Sequence, residues 1–138
     1  MKWAGFIDGM DSFDPQFFGI TPREAEVMDP QQRLQMMYVW KALEDAGIAP
    51  TDLSGSRTAL YIGSCASGYG QVLAQSARAD DGFGATATVA SIGPNRMSYF
   101  LNLHGPSEPI ETACSSSLVA LNRGVAVLRD GSCDLAIV

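Results

Sequence analysis

The residue in this chain best suited to covalent chemistry is Cys114, set in Glu111-Thr112-Ala113-Cys114-Ser115-Ser116-Ser117-Leu118. The run before it reads as a strand and the run after it as a helix, which puts the cysteine at a strand-to-helix junction. Such a junction leaves the first backbone N–H groups of the helix without intrahelical acceptors and sets the positive end of the helix dipole beside the sulfur. Both favour the thiolate, the nucleophilic form of the side chain. The same N–H groups can hold an oxyanion during acyl transfer. Ala113 and the three serines leave room for a thioester to reach the sulfur. From the residues alone an inert reading stands beside this one: a buried cysteine ahead of a helix, with the serines acting as caps.

The other candidates for chemistry are few. Cys65 and Cys133 fall at a strand end and a strand start, where inert packing is expected. The three cysteines and His104, the one histidine, have wide spacings with no Cys-x-x-Cys pair, which is unlike a closed zinc site. A disulfide framework is not expected either, so the cysteines are read as reduced thiols. His104, in Leu103-His104-Gly105-Pro106, reads as a turn residue.

The elements that position Cys114 follow from periodicity and punctuation. Glu108 to Thr112 reads as a strand, with Pro109 placing it at an edge or bulge. Ser115 to Leu128 reads as a helix with Leu118, Leu121, Val125 and Leu128 on one face; Asp130-Gly131 turns the chain, and Cys133 to Val138 returns as a strand. Upstream, Asp29 is an N-cap, Pro30 takes the first helical position, and Gln32 falls where a capping box places its acceptor. Leu34, Met37, Ala42, Leu43 and Ala46 form that helix's apolar set, and Gly47 its C′ residue. Arg57 to Gly63 contains a short strand at 58–62. A weaker helix opens at Gly68 and Gly70 and runs through Val72, Leu73 and Ala77, followed by a loop at 79–84. A further helix covers Val89 to Leu101, broken or kinked near its start by Gly93-Pro94. Residues 1–20 are irregular and are expected to pack their aromatics (Trp3, Phe6, Phe13, Phe17, Phe18) onto another surface. Strands alternating with helices predict a layered α/β fold with a substantially parallel sheet.

Composition narrows the partners. The chain has 138 residues, 46% of them hydrophobic and 17% charged, within the range of a globular domain with its own core. Its net charge of −6 argues against a nucleic-acid partner, which needs a surplus of Lys and Arg. No apolar stretch reaches the roughly 18 residues of a membrane span, and no signal core can be drawn at the start, so a cytoplasmic location is expected. The apolar run Asp134-Leu135-Ala136-Ile137-Val138 reads as a buried strand without cap or polar tail, from which a truncated sequence is expected. A strand left without sheet neighbours there would make the isolated chain prone to aggregate.

The segment Thr112-Ala113-Cys114-Ser115-Ser116-Ser117-Leu118-Val119-Ala120-Leu121 resembles the active-site motif of type I polyketide ketosynthases (β-ketoacyl synthases). Four other stretches resemble the same family in the expected order. They are Phe13-Asp14-Pro15 with Phe17-Phe18-Gly19-Ile20-Thr21-Pro22-Arg23-Glu24-Ala25, then Met28-Asp29-Pro30-Gln31-Gln32-Arg33, Trp40-Lys41-Ala42-Leu43-Glu44-Asp45-Ala46-Gly47-Ile48, and Ser54-Gly55-Ser56-Arg57-Thr58. The likeness weakens only over residues 64–85. Glu111, where the commoner form has Asp, and Ser91-Ile92-Gly93-Pro94-Asn95-Arg96 look more like ketosynthases of assembly lines with free-standing acyltransferases.

The resemblance implies a thiolase-like fold of two related α/β halves, with residues 1–138 a partial β-ketoacyl synthase domain supplying much of the first. It implies that Cys114 accepts an acyl chain from the phosphopantetheine thiol of an acyl carrier protein, with no cofactor bound directly. A malonyl-type extender then loses carbon dioxide and attacks the thioester in a Claisen condensation. Family members form homodimers and work beside other modules of a polyketide synthase. Two catalytic histidines of the family, one in a His-Gly-Thr-Gly-Thr run and one after a lysine, have no counterpart here, and His104 matches neither. The chain alone is therefore expected to be inactive in condensation. Two further readings are a non-elongating ketosynthase that passes acyl chains through Cys114, and a non-catalytic fragment for dimerisation or carrier docking.

Overall fold

The computed structural model describes residues 2–76 and 82–138. In chain order they form helix α1 (Pro22–Ala25), α2 (Pro30–Asp45), strand β1 (Thr58–Gly63), α3 (Tyr69–Ala74), α4 (Gly84–Thr88), α5 (Ile92–Phe100), β2 (Ser107–Ile110), α6 (Ser116–Arg129) and β3 (Leu135–Ile137). The three strands make one parallel sheet in the order β2-β1-β3, with Gly63 opposite Ile110 and Leu60 opposite Ile137. Pro109, which cannot donate to a ladder, accordingly sits on an outer strand.

Side chains alternate along β1, and the two faces bury different partners. Leu60 enters a core with Met28, Met36, Val39, Leu43 and Met97, which come from the segment before α2, from α2 itself and from α5. Ala59 and Tyr61 enter a second core with Ile110, Ala120 and Cys133, under α6. The result is helix, sheet and helix in three layers, the α/β arrangement expected from the order of elements.

Helix α2 ends as its sequence predicts. Asp29 caps it by accepting from Gln31 N at 2.8 Å. Gly47, at φ +68°, donates to Glu44 O while Ile48 donates to Leu43 O, the paired bonds of a Schellman motif. Its buried stripe is Gln32, Met36, Val39 and Leu43. Of the apolar set read from sequence only Leu43 is fully buried, and Ala42 and Ala46 are exposed.

Gln32 does not close a capping box. Its Nε2 reaches away from the cap to the carbonyls of Thr86, Ala87 and Val89 at 3.1–3.2 Å, while Asp29 N donates to Ala87 O. The longer reach wins because the carbonyls of Thr86 and Ala87, in the last turn of α4, have no donors within that helix. Gln32→Leu, which keeps the bulk and strips the donor, is expected to cost about 1–3 kcal/mol in urea unfolding. Gln31→Leu, on the more exposed side, should cost well under half of that. Equal midpoints for the two variants would remove Gln32 as the tie between α2 and residues 86–89.

Other expectations are corrected. The helix expected over 89–101 is shorter: Val89 is extended, and α5 runs only from Ile92 to Phe100. Pro94 is then the third residue of α5, where an N–H would have no intrahelical partner, so it sits there without breaking the helix. Gly84 starts α4 instead of ending a loop. Ala77 and residues 79–81, placed by sequence in α3 and the loop after it, lie outside the described residues. The largest reversal is in α6, where the buried face is Ser116, Ala120 and Gly124. Small residues let the helix lie close to the sheet: a Cβ on Gly124 would fall 2.9 Å from Val138 Cγ1. Leu118, Leu121 and Leu128, expected to pack inward, are exposed. Near the start of the chain Phe13, Phe17 and Phe18 cluster with Trp40 and Phe100, as expected, but Trp3 and Phe6 are about nine-tenths exposed.

Candidate active site

β2 leads directly into the elbow that carries Cys114. Thr112 leaves the extended region at φ −133° and ψ 40°, Ala113 takes the left-handed region at φ +53°, and a 3-10 turn over Ala113–Ser115 passes into α6. A non-glycine residue at positive φ is costly, about 1–3 kcal/mol, and is kept where surroundings enforce it, often at functional sites. Two serines do the enforcing. Ser116 Oγ accepts from Thr112 N at 2.9 Å and donates to Ala113 O at 2.8 Å. Ser115 Oγ lies 2.7 Å from Thr112 O and 2.9 Å from Thr112 Oγ1. Cys114, held at the crest, is exposed, which sets aside the buried packing role.

The elbow also leans on β1. A Cβ on Gly63 would meet Ser117 N at 2.8 Å and Ser116 C and Ser117 Cα at 3.0 Å, all backbone atoms. Because β1 and β2 are parallel, the elbow lies beyond the carboxyl ends of both, where open α/β sheets place ligand sites. On β1, burial first and the Glu108 carboxylate second hold the Tyr61 hydroxyl above the usual phenol range. Glu108 itself is paired with Arg123 of α6.

His104 is at the other end. Its backbone N donates to Ser56 O, ahead of β1, and β2 then runs between it and the elbow, a separation of about 10 Å at 3.3 Å per residue. It is exposed and has no place beside Cys114. Of the other thiols, Cys133 is buried as expected, whereas Cys65 is exposed on the loop after β1, contrary to the packing role expected for it. That loop, with Asp29, Gln32, Gln35 and Glu111, lines a cavity of about 130 Å3 at the same end of the sheet as the elbow. A larger cavity of about 500 Å3, among Phe18, Arg96, Tyr99 and Phe100, contains no nucleophile and lies away from Cys114. Sequence reasoning missed Ala113's conformation, the two serine clamps, Gly63 and the polar cavity. Only Gly63, a glycine closing an apolar strand, carried a readable signal.

A parallel sheet that ends in a cysteine elbow and is covered by helices on both faces defines a class, the thiolase-like fold. Solved ketosynthases share it. The ketosynthase from module 6 of the bacillaene synthase of Bacillus subtilis 168 matches with a TM-score of 0.84 and 39% identity, over 96% of this chain and 22% of that one. The oxazolomycin ketosynthase domain of Streptomyces albus JA3453 matches with a TM-score of 0.85 and 41% identity, over 99% of this chain and 23% of that one. Polyketide synthase PksN of Bacillus subtilis (strain 168) is 56% identical over 137 residues, and Mycoketide-CoA synthase of Mycobacterium tuberculosis is 48% identical over 136. This chain spans only 2% and 3% of the length of those two proteins. The family described as beta-ketoacyl synthase, N-terminal domain, matches residues 1–138, and the chain belongs to it.

Proposed function

We propose that Cys114 is the acyl-accepting nucleophile of a polyketide ketosynthase, of which residues 1–138 form part of the first α/β half. The observation that carries this is the exposed cysteine on a strained elbow beyond the carboxyl ends of two parallel strands, in a chain of this family. In the first half-reaction the Cys114 thiolate attacks the carbonyl carbon of an acyl thioester on the phosphopantetheine arm of an acyl carrier protein. The carbon–sulfur bond to the arm breaks, the arm leaves as a thiolate and takes a proton from water, and the acyl chain stays on Cys114. In the second, a malonyl-type extender loses carbon dioxide and its carbanion attacks the Cys114 thioester, which expels the thiolate. Backbone amides at the elbow can hold the oxyanion of the first step, but the enolate of the second needs further charge-stabilising groups. His104, at the far end of the sheet, is not one of them, so this segment by itself is expected to accept acyl chains without condensing them.

The reading carries the family's context with it: an acyl carrier protein as partner, a homodimer, neighbouring polyketide synthase modules and a cytoplasmic setting. Among the described residues no helix is long and apolar enough to cross a membrane. The Glu111 variant and the similarity to a bacillaene ketosynthase favour the type served by free-standing acyltransferases.

The test uses the separation of the three thiols by trypsin. Cys65 falls in Thr58–Arg78, Cys114 in Met97–Arg123 and Cys133 in the peptide that begins at Asp130. After incubation of the full-length protein with an acyl-pantetheine thioester, the acyl mass is expected on Met97–Arg123. Mass found only on Thr58–Arg78 would assign the acceptor to Cys65 and sink the proposal.

A further inference from the structure

The two hydroxyls at the start of α6 do not serve the helix they begin. A serine at the N-cap ordinarily accepts from an N–H two or three residues into the helix. Ser115 occupies that position and makes no such bond. Both serines turn back toward β2 instead: Ser115 Oγ to Thr112, and Ser116 Oγ to Thr112 N and Ala113 O. The helix gives up a side-chain cap, and the elbow gains two tethers.

The tethers differ. Ser115 is exposed and its hydroxyl reaches only Thr112, on the near side of the strained residue. Ser116 is 6% exposed, which shields its bonds from competing water, and they straddle Ala113. One grips the peptide group that ends at Thr112 N, the other the peptide group that begins at Ala113 O. Between them lies Ala113 at φ +53°, where the Cβ of an L residue crowds the following carbonyl oxygen. Ala113 O also accepts from Ser116 N, so this one residue holds that carbonyl twice. A trans peptide is planar, so the group that turns its oxygen to Ser116 must point its N–H, that of Cys114, the opposite way.

We infer that Ser116 is a positioning residue for acyl loading: its hydroxyl keeps Ala113 left-handed, and thereby sets the direction of the Cys114 N–H and the place of the Cys114 sulfur. The inference rests on the acyl-accepting role proposed above. If the hydroxyl is removed, Ala113 is free to relax to negative φ, and Cys114 swings with it. Glycine adopts positive φ without that penalty, so Ala113→Gly should make the serine dispensable.

The experiment follows loading of the full-length protein by intact mass against the concentration of an acyl-pantetheine thioester. Ser116→Ala is expected to lower the saturating rate about tenfold or more, the scale of a misplaced reacting group, with little change in the half-saturating concentration. In the Ala113→Gly background the same substitution should cost no more than about threefold, because the strain it would release is absent. Ser115→Ala should lose less than Ser116→Ala. A parental saturating rate in Ser116→Ala, or an equal loss in both backgrounds, overturns the inference. Should Ser116→Ala alone fail to fold, Ala113→Gly is expected to restore folding and loading; a double variant that also fails would make the hydroxyl a packing group and end the assignment. A second readout needs no acyl transfer: iodoacetamide alkylation of Cys114 against Cys65, read on their tryptic peptides from one sample. Ser116→Ala should slow Cys114 relative to Cys65, as its sulfur leaves the first turn of α6, and Ala113→Gly should undo the change. Acyl mass on a peptide other than that of Cys114 would sink the acyl-accepting role and leave this readout standing. An unchanged ratio of the two thiols defeats the positioning role whatever Cys114 accepts.

Discussion

Cys114→Ala is expected to abolish thioester formation on the protein, with a loss of at least roughly a thousandfold in loading rate. Its effect on stability should be small, because the side chain is exposed and no core residue rests on it. That combination separates a nucleophile from a structural cysteine. Cys114→Ser is the stricter test, because the hydroxyl keeps the shape of the elbow and offers a much weaker nucleophile. Slow or absent loading in Cys114→Ser beside an unchanged urea midpoint would place the defect in the sulfur itself. The measurement is intact mass against time with an acyl-pantetheine thioester, and loading of Cys114→Ala at the parental rate would end the assignment. Unfolding of both variants would instead give Cys114 a packing role that its exposure contradicts.

The sequence made the elbow legible because its two sides differ: a short strand segment carrying Pro109 on one side, a 3.6-residue apolar pattern on the other, and small residues between them. What it could not show was how the elbow is held. Ser115 and Ser116 read as generic caps, yet Ser116 bridges Thr112 N and Ala113 O, and that bridge accompanies the left-handed turn at Ala113. The same blindness to long-range partners explains Gln32, which a local rule assigns to a capping box and tertiary structure gives to three carbonyls more than fifty residues away. In α6 the leucine stripe has the stronger apolar signal, but Gly124 and Ala120 can lie against the sheet at distances a leucine cannot. Hydrophobic periodicity names a face; closeness of approach decided which face went inward here. The leucines left outside remain a surface that nothing among the described residues covers.

Gly63→Ala is expected to slow acyl loading by roughly ten- to a hundredfold in protein that still folds. The new Cβ would stand 2.8 Å from Ser117 N, with Ser116 C and Ser117 Cα at 3.0 Å, and no side-chain rotation can relieve contact with backbone. One side must move. β1 is the middle strand, bonded to β2 on one edge and β3 on the other, whereas the first turn of α6 is anchored through serine side chains. The elbow is the softer side, and Cys114 moves with it. Overpacking of this kind costs about 1–3 kcal/mol, and a displacement approaching 1 Å at a reacting group can cost about a hundredfold in rate. Gly105→Ala supplies the comparison. Its Cβ would fall 2.3 Å from Thr58 O, a worse overlap, but before β2 and at the opposite end of the sheet from Cys114. Gly105→Ala should therefore lower the urea midpoint at least as far as Gly63→Ala while the folded fraction loads at the parental rate. Loading per folded molecule, measured beside the midpoint for both variants, separates the two effects. Equal losses per folded molecule would mean that loading follows global stability, and that Gly63 does not position the cysteine.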